Sequence, residues 1–292
     1  MINRRAAILG GLSVVVLAST PISAQSAGTA IGRKVNVAGR QRMLSQRIAM
    51  ASAMGRLGVE PQENLDIIRS ASRDFDTAQQ ALRNGSDEFG LLEETHPSVL
   101  SALNKVDVAW AEMGDAATSI VNQGAVSRAN FRSIAEVNLK LLSRSNIVVK
   151  KIVSAYSEDD RSDVGLAVAI DIAGRQRMLS QKMIKEAALI GLKYRKSDNR
   201  EFLNETLEEF DSSLFKLMYG AADEDIPEAP PEVLSKLQQV ESLWLDIFPL
   251  MDEIASLGRA DSFELEELSA SALDLLSLSN EAVQLYERAW AA

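Results

Sequence analysis

From Val35 to Ser52, small and apolar residues return at helical spacing. Val35, Ala38, Arg42, Ser45, Ala49 and Ser52 share one stripe of a helix with about 3.6 residues per turn. The same stripe recurs as Ile170, Ala173, Arg177, Ser180, Ile184 and Ala187. The pattern predicts a first helix from about Thr29 to Leu57. A second starts near Pro61, a good first-turn residue, and stops at Asn84-Gly85, a good C-terminal cap. A third runs from Pro97 to Gly124. A fourth follows Ser127, a candidate N-cap, towards Tyr156. The second half repeats the plan: Pro231 opens its third helix, Gly258 closes it, and Pro249 inside it should kink it.

The plan repeats because the chain is duplicated. Ala-Gly-Arg-Gln-Arg-Met-Leu-Ser-Gln stands at Ala38–Gln46 and again at Ala173–Gln181. Phe75-Asp76 matches Phe210-Asp211, Trp110 matches Trp244, and Leu-Leu-Ser-x-Ser-Asn ends at Asn146 and at Asn280. Landmarks in fixed order define a repeated domain. The expected organisation is a signal peptide over 1–24, a four-helix bundle over 28–158 and a second over 161–292. The fold class is all-α: two tandem antiparallel four-helix bundles packed as a pseudo-twofold dimer. The short polar link Ser157–Ser162 keeps the copies close, as a turn or as nearly continuous helix.

Composition agrees. Hydrophobic residues are 46% of the chain and aromatics only 5%, which favours helices over strands. The absence of cysteine excludes disulfides, thiolate metal sites and cysteine nucleophiles. A net charge of −10 disfavours nucleic acid and anionic membranes as partners. Any bound anion must be captured by a local arrangement. Arg4-Arg5 followed by apolar Ala6–Ala18 and by Ile22-Ser23-Ala24 reads as a cleavable export signal, Sec rather than twin-arginine, leaving Gln25 first. Its apolar run is too short to span a bilayer comfortably. The expected localisation is periplasmic, with no integral membrane segment after cleavage.

The candidate chemistry lies in the repeated peptide. An arginine on a small, apolar stripe is costly to desolvate unless something neutralises it. No acidic residue lies within four positions of Arg42, and Asp171, six before Arg177, does not share that arginine's face. The partner must come from another helix or from a ligand. Asp76, Asp211 and Glu136 are the internal carboxylates that would serve. A guanidinium is planar and donates in pairs, which suits nitrate, nitrite or carboxylate. If the copies pack about a pseudo-twofold axis, Arg42 and Arg177 would close on one anion from opposite sides. Gly39 and Gly174 each cost about 1 kcal/mol of helix propensity, so close packing or backbone access is the expected return. Arg40, Arg47, Arg175 and Lys182 read as solvated or as cross-helix contacts.

Other chemistry is thin. His96 is the only histidine, stands in a loop before a proline, and has Pro230 as its counterpart. No nucleophile–base pair or metal constellation accompanies it, so the chain is not expected to be an enzyme and no cofactor is expected. The acidic loops near Asp87–His96 and Ala221–Pro230 read as solvated surface. Asp223-Glu224-Asp225 lacks the spaced ligands and glycine of a calcium loop.

The peptide Ala-Gly-Arg-Gln-Arg-Met-Leu-Ser-Gln, preceded by Val35 or Ile170, resembles the PilJ-type domain. That domain is also described as the NarX-like N-terminal domain and forms the sensory region of type IV pilus chemotaxis transducers. Related nitrate/nitrite sensor kinases carry a similar periplasmic four-helix bundle. Their Gly-x-x-Arg-Met-x-Ser motif binds nitrate at a homodimer interface. The resemblance implies that Gly39 and Arg42, with Gly174 and Arg177, are ligand-binding residues. It also implies a membrane sensor, chemoreceptor or transporter as protein partner. The motif is closer to the pilus flavour than to the kinases. The usual transmembrane helices, linker and signalling domain are not found. The expectation is therefore a soluble tandem version in which one chain supplies both halves of a sensor dimer. The alternative is a ligand-free structural or adaptor bundle associated with type IV pili or an envelope complex.

Overall fold

The computed structural model describes residues 27–156 and 161–291. The export signal expected over 1–24 lies outside the described residues. Of the Ser157–Ser162 link, Arg161 and Ser162 are described, as the first residues of a helix.

Among the described residues the chain forms α1 (Ala27–Leu57), α2 (Pro61–Asn84), α3 (Pro97–Gln123) and α4 (Arg128–Tyr156). These are followed by α5 (Arg161–Gly191), α6 (Lys196–Tyr219), α7 (Pro231–Leu257) and α8 (Ser262–Ala291). Proline and glycine punctuate as the sequence predicts. Pro61, Pro97 and Pro231 lie in first turns, where a missing N–H costs nothing. Gly85, Gly124 and Gly258 follow α2, α3 and α7 with positive φ. Pro249 lies inside α7.

The turn after each first helix is also duplicated. Val59 N–H bonds back to Met54 O at 3.1 Å, and Tyr194 N–H to Leu189 O at 3.0 Å. Buried Asn64 Nδ2 donates to Val59 O at 2.9 Å, and Asn199 Nδ2 to Tyr194 O at 2.8 Å. These amides stitch the turn to the start of the next helix and fix the antiparallel reversal.

Helix α1 packs on α2 and α4, α5 packs on α6 and α8, and α1 and α5 pack along each other. Both central helices are enclosed along most of their length, with several polar and charged side chains buried among the small and apolar ones. Every residue of the two predicted stripes is buried, arginines included. The outer helices are amphipathic. A repeated lock joins α2 to α3 and α6 to α7. Phe75 stacks on Trp110 at 4.0 Å between ring centroids, and Phe210 meets Trp244 at 4.6 Å. Asp76 accepts from Trp110 Nε1 at 2.6 Å, and Asp211 from Trp244 Nε1 at 3.1 Å.

His96 is not the exposed loop residue that its position suggests. It is half-buried and caps α3, its Nδ1 accepting from Ser98 N–H at 3.3 Å. Its own N–H donates to Glu94. Glu94 is buried and also accepts from Lys34 Nζ at 2.8 Å and from the Tyr156 hydroxyl. This carboxylate ties the α2–α3 loop to α1 and to the end of α4.

Candidate functional site

The polar residues of the repeated peptide divide between the α1–α5 seam and the flanking helices. Ser45 and Ser180 turn their hydroxyls back onto the carbonyls of Arg42 and Arg177, at 2.8 and 2.9 Å. Their small, self-satisfied side chains let the helices approach. Gln41 donates to Gln79 on α2 at 2.5 Å, and Gln176 to Ser213 on α6 at 2.6 Å. These amides pin each central helix to its outer neighbour. That leaves the two arginines facing the seam.

Arg42 and Arg177 are 1% and 2% exposed. They converge. A Cβ built on Gly39 would lie 3.1 Å from Arg42 Nη2 and 3.9 Å from Arg177 Nη2. One on Gly174 would lie 3.2 Å from Arg177 Nη2 and 3.8 Å from Arg42 Nη2. The glycines are therefore small because two guanidiniums cross over them.

The hydrogen bonds follow the duplication. Arg42 Nη1 donates to Asn146 of α4 at 3.0 Å, and Arg177 Nη1 to Asn280 of α8 at 2.9 Å. Each Nη2 crosses the seam to the other copy. Arg42 Nη2 donates to Asp171 Oδ1 at 2.5 Å, and Arg177 Nη2 to Asn36 Oδ1 at 2.6 Å. Asn36 and Asp171 are equivalent positions, so the symmetry breaks in charge: a carboxylate meets Arg42 and a neutral amide meets Arg177. The Asn36 amide in turn donates to Glu287 Oε1 at 2.9 Å. Nε of both arginines is buried without a hydrogen-bond partner among the described residues.

Burial pushes the Arg177 guanidinium down to about 10; Glu287 opposes this, and Arg42 and Arg40 add to it. The same burial holds the Glu287 carboxyl above its ordinary range, opposed by the Asn36 hydrogen bond and by Arg177 and Arg33. A groove of about 570 Å³ between α1, α2 and α8 reaches Arg177, with Asn36, Arg40, Asn280 and Glu287 on its walls. What the arrangement offers is a desolvated pair of forked cations, one of them approachable from a groove. That is chemistry for holding a planar anion. No group of three or more metal-ligating residues occurs among the described residues.

All four predicted site residues, Gly39, Arg42, Gly174 and Arg177, come together. The three carboxylates expected as internal partners do not reach them. Asp76 and Asp211 are engaged by tryptophans, and Glu136 is exposed on α4. The partner of Arg42 is Asp171, which the sequence argument set aside by weighing it only against Arg177 on its own helix. Asn146 and Asn280 were visible as the last residues of the repeated Leu-Leu-Ser-x-Ser-Asn. Nothing local marks Asn36 or Glu287. Arg40 and Arg175 do make cross-helix contacts, to Asp74 at 2.9 Å and to Glu209 at 3.3 Å.

Further along the seam lies a second buried polar group, found only in the second copy. Lys185 donates to Gln46 across the seam at 2.9 Å and lies 3.6 Å from Glu186 Oε1, which pairs with Lys182 at 2.9 Å. The counterparts of Lys185 and Glu186 are Met50 and Ala51.

The family described as type IV pili methyl-accepting chemotaxis transducer N-terminal matches residues 23–131 and again 161–266. The chain is also similar to the methyl-accepting chemotaxis protein McpN of Pseudomonas aeruginosa, with 30% identity over 117 residues. That alignment covers 40% of this chain and 21% of the relative, so the chain spans only about a fifth of that protein's length. Two separate matches over most of its length, on the two sets of helices that meet at the arginine seam, show that the chain belongs to the PilJ family and carries its sensory unit twice in tandem.

Proposed function

We propose that this chain is a periplasmic sensory module. It binds a small oxyanion, nitrate or nitrite, between Arg42 and Arg177, and presents the bound state to a membrane receptor, sensor or transporter. One observation carries the reading: equivalent, buried arginines from two copies of a sensory domain converge over Gly39 and Gly174. Two guanidiniums in one desolvated place repel each other, and a planar anion between them relieves that repulsion while accepting paired donors. Because the arginines belong to α1 and α5, the anion draws on the contact between the two halves. Ligand state and the relative placement of the halves are thereby linked. No helix among the described residues is long and apolar enough to cross a membrane.

Calorimetric titration of residues 25–292 with nitrate, nitrite and chloride tests the reading. Expected is saturable binding of one oxyanion per chain, with marked weakening by Arg42→Lys, which keeps charge but loses the paired donors. A thermal shift should accompany it, since ligand at about a hundred times its Kd adds about 2.7 kcal/mol. Unchanged affinity in both Arg42→Ala and Arg177→Ala would refute the shared site. The Arg42–Asp171 ion pair favours a second reading, an adaptor bundle whose arginines are satisfied internally. Absence of heat and shift at millimolar nitrate and nitrite would decide for it.

A further inference from the structure

Asn36 and Asp171 occupy the same place in the two copies and receive the same atom, Nη2 of the opposite copy's arginine. They differ in one respect. Asp171 offers a carboxylate, which is planar, anionic and forked as nitrate is. It is held from both sides, by Arg42 Nη2 at 2.5 Å and by Arg175 Nη2 at 3.3 Å, and its side chain is 19% exposed. The compensating change lies on the outer helices. Glu287 of α8 faces Asn36, whereas the equivalent position of α4 is Val153. Each arginine is thus assigned one carboxylate, but Arg42 touches its own directly and Arg177 is separated from its own by the Asn36 amide. A groove between α1, α2 and α8 reaches Arg177.

We infer that Asp171 is a built-in competitor for the oxyanion, so that the ligand is held chiefly by the Arg177 half and binds more weakly than an Asn/Asn site would allow. The inference rests on the oxyanion reading above. Asp171 fills the acceptor position on Arg42 that an anion shared equally between the arginines would need. An incoming anion either displaces this carboxylate or settles beside Arg177, where the atom in direct contact with the guanidinium is a neutral carbonyl and Glu287 stands one residue further off, behind the Asn36 amide. The pair of residues at 36 and 171 therefore sets the affinity of the module without touching either arginine's charge.

The test is titration of the full exported chain and two single variants with sodium nitrate and sodium nitrite, at constant ionic strength. Asp171→Asn gives both halves the same neutral partner and keeps an oxygen acceptor on Arg42. It should tighten binding about ten- to a hundredfold, the worth of one charge-assisted contact. Asn36→Asp places a carboxylate on both arginines and should weaken binding by a similar factor. Arg177→Ala should cost more affinity than Arg42→Ala. If the wild type binds and Asp171→Asn binds no more tightly, the competitor role is overturned while the oxyanion site stands. If wild type and Asp171→Asn both fail to bind either anion, the oxyanion reading falls and takes this inference with it. Should Asp171→Asn lose its helical circular dichroism, Asn36→Asp decides alone, and unaltered affinity there overturns the inference.

Discussion

Lys185→Met should abolish a specific rise of stability in alkaline solution. Lys185 is 2% exposed in the seam between the two halves. Its ammonium donates to Gln46 Oε1 at 2.9 Å and to Asn138 Oδ1 at 3.3 Å. Burial is the main influence and pushes the ammonium down to about 8 from 10.5; Glu186 opposes it and Lys182 adds to it. The folded state therefore releases this proton before the unfolded chain does. The cost of burying the charge is fully present below pH 8 and is relieved as pH climbs towards 10.5. The whole displacement corresponds to about 3 kcal/mol, at about 1.36 kcal/mol per pH unit. Relative to pH 7, the recovered stability is about 1 kcal/mol at pH 9 and about 2–3 kcal/mol at pH 10.

Methionine is the proper replacement because Met50 holds the equivalent position. Glu186 keeps Lys182 at 2.9 Å, so the variant strands no carboxylate. Gln46 loses a donor, but its counterpart Gln181 already has a buried Oε1 without a hydrogen bond among the described residues. The assay is urea unfolding of wild type and variant at pH 7, 8, 9 and 10. Subtracting the two curves removes the other lysines and tyrosines. A wild-type-minus-variant difference that grows with pH by about 2–3 kcal/mol over this range is expected. A difference that stays flat from pH 7 to 10 would refute the claim that Lys185 is a desolvated cation in the seam.

Gly39→Ala places a methyl group 3.1 Å from Arg42 Nη2, so the guanidinium must shift by a few tenths of an ångström. The gain of about 1 kcal/mol in helix propensity offsets this crowding. Melting should change little while nitrate affinity falls severalfold, as paired thermal and calorimetric titrations would show. Trp244→Ala should cost about 3–5 kcal/mol in urea unfolding. Trp110→Ala should cost clearly less, because Trp244 is fully buried and Trp110 only partly so.

Much of the molecule was legible because its causes are local. The duplication is written in repeated residues. Helix ends follow from Pro61, Pro97, Pro231, Gly85, Gly124 and Gly258, whose backbone preferences act within a turn or two. The buried stripe of α1 and α5 follows from small residues at helical period. That Arg42 and Arg177 need partners follows from the cost of desolvating a guanidinium. From the residues alone Gly39 and Gly174 read only as close packing or backbone access; their place beside the arginines was implied by the resemblance to the PilJ-type domain.

Which partners they meet was decided only in three dimensions. Asp171 is six residues from Arg177 along the chain and off that arginine's face, yet the packing of α1 along α5 sets it on Arg42, 129 positions distant. Asn146, Asn280 and Glu287 reach the seam because α4 and α8 pack beside the central helices. Asp76 and Asp211, plausible partners on composition, turn outwards to tryptophans instead. Lys185 was not singled out from the sequence; α1 and α4 close over it, with Gln46 and Asn138 accepting from its ammonium. The physical reason is the same in each case. A helix's faces are set by its own period, but the neighbour of each face is set by packing between segments that lie from about thirty to more than a hundred residues apart, and the electrostatic identity of this site resides in those neighbours.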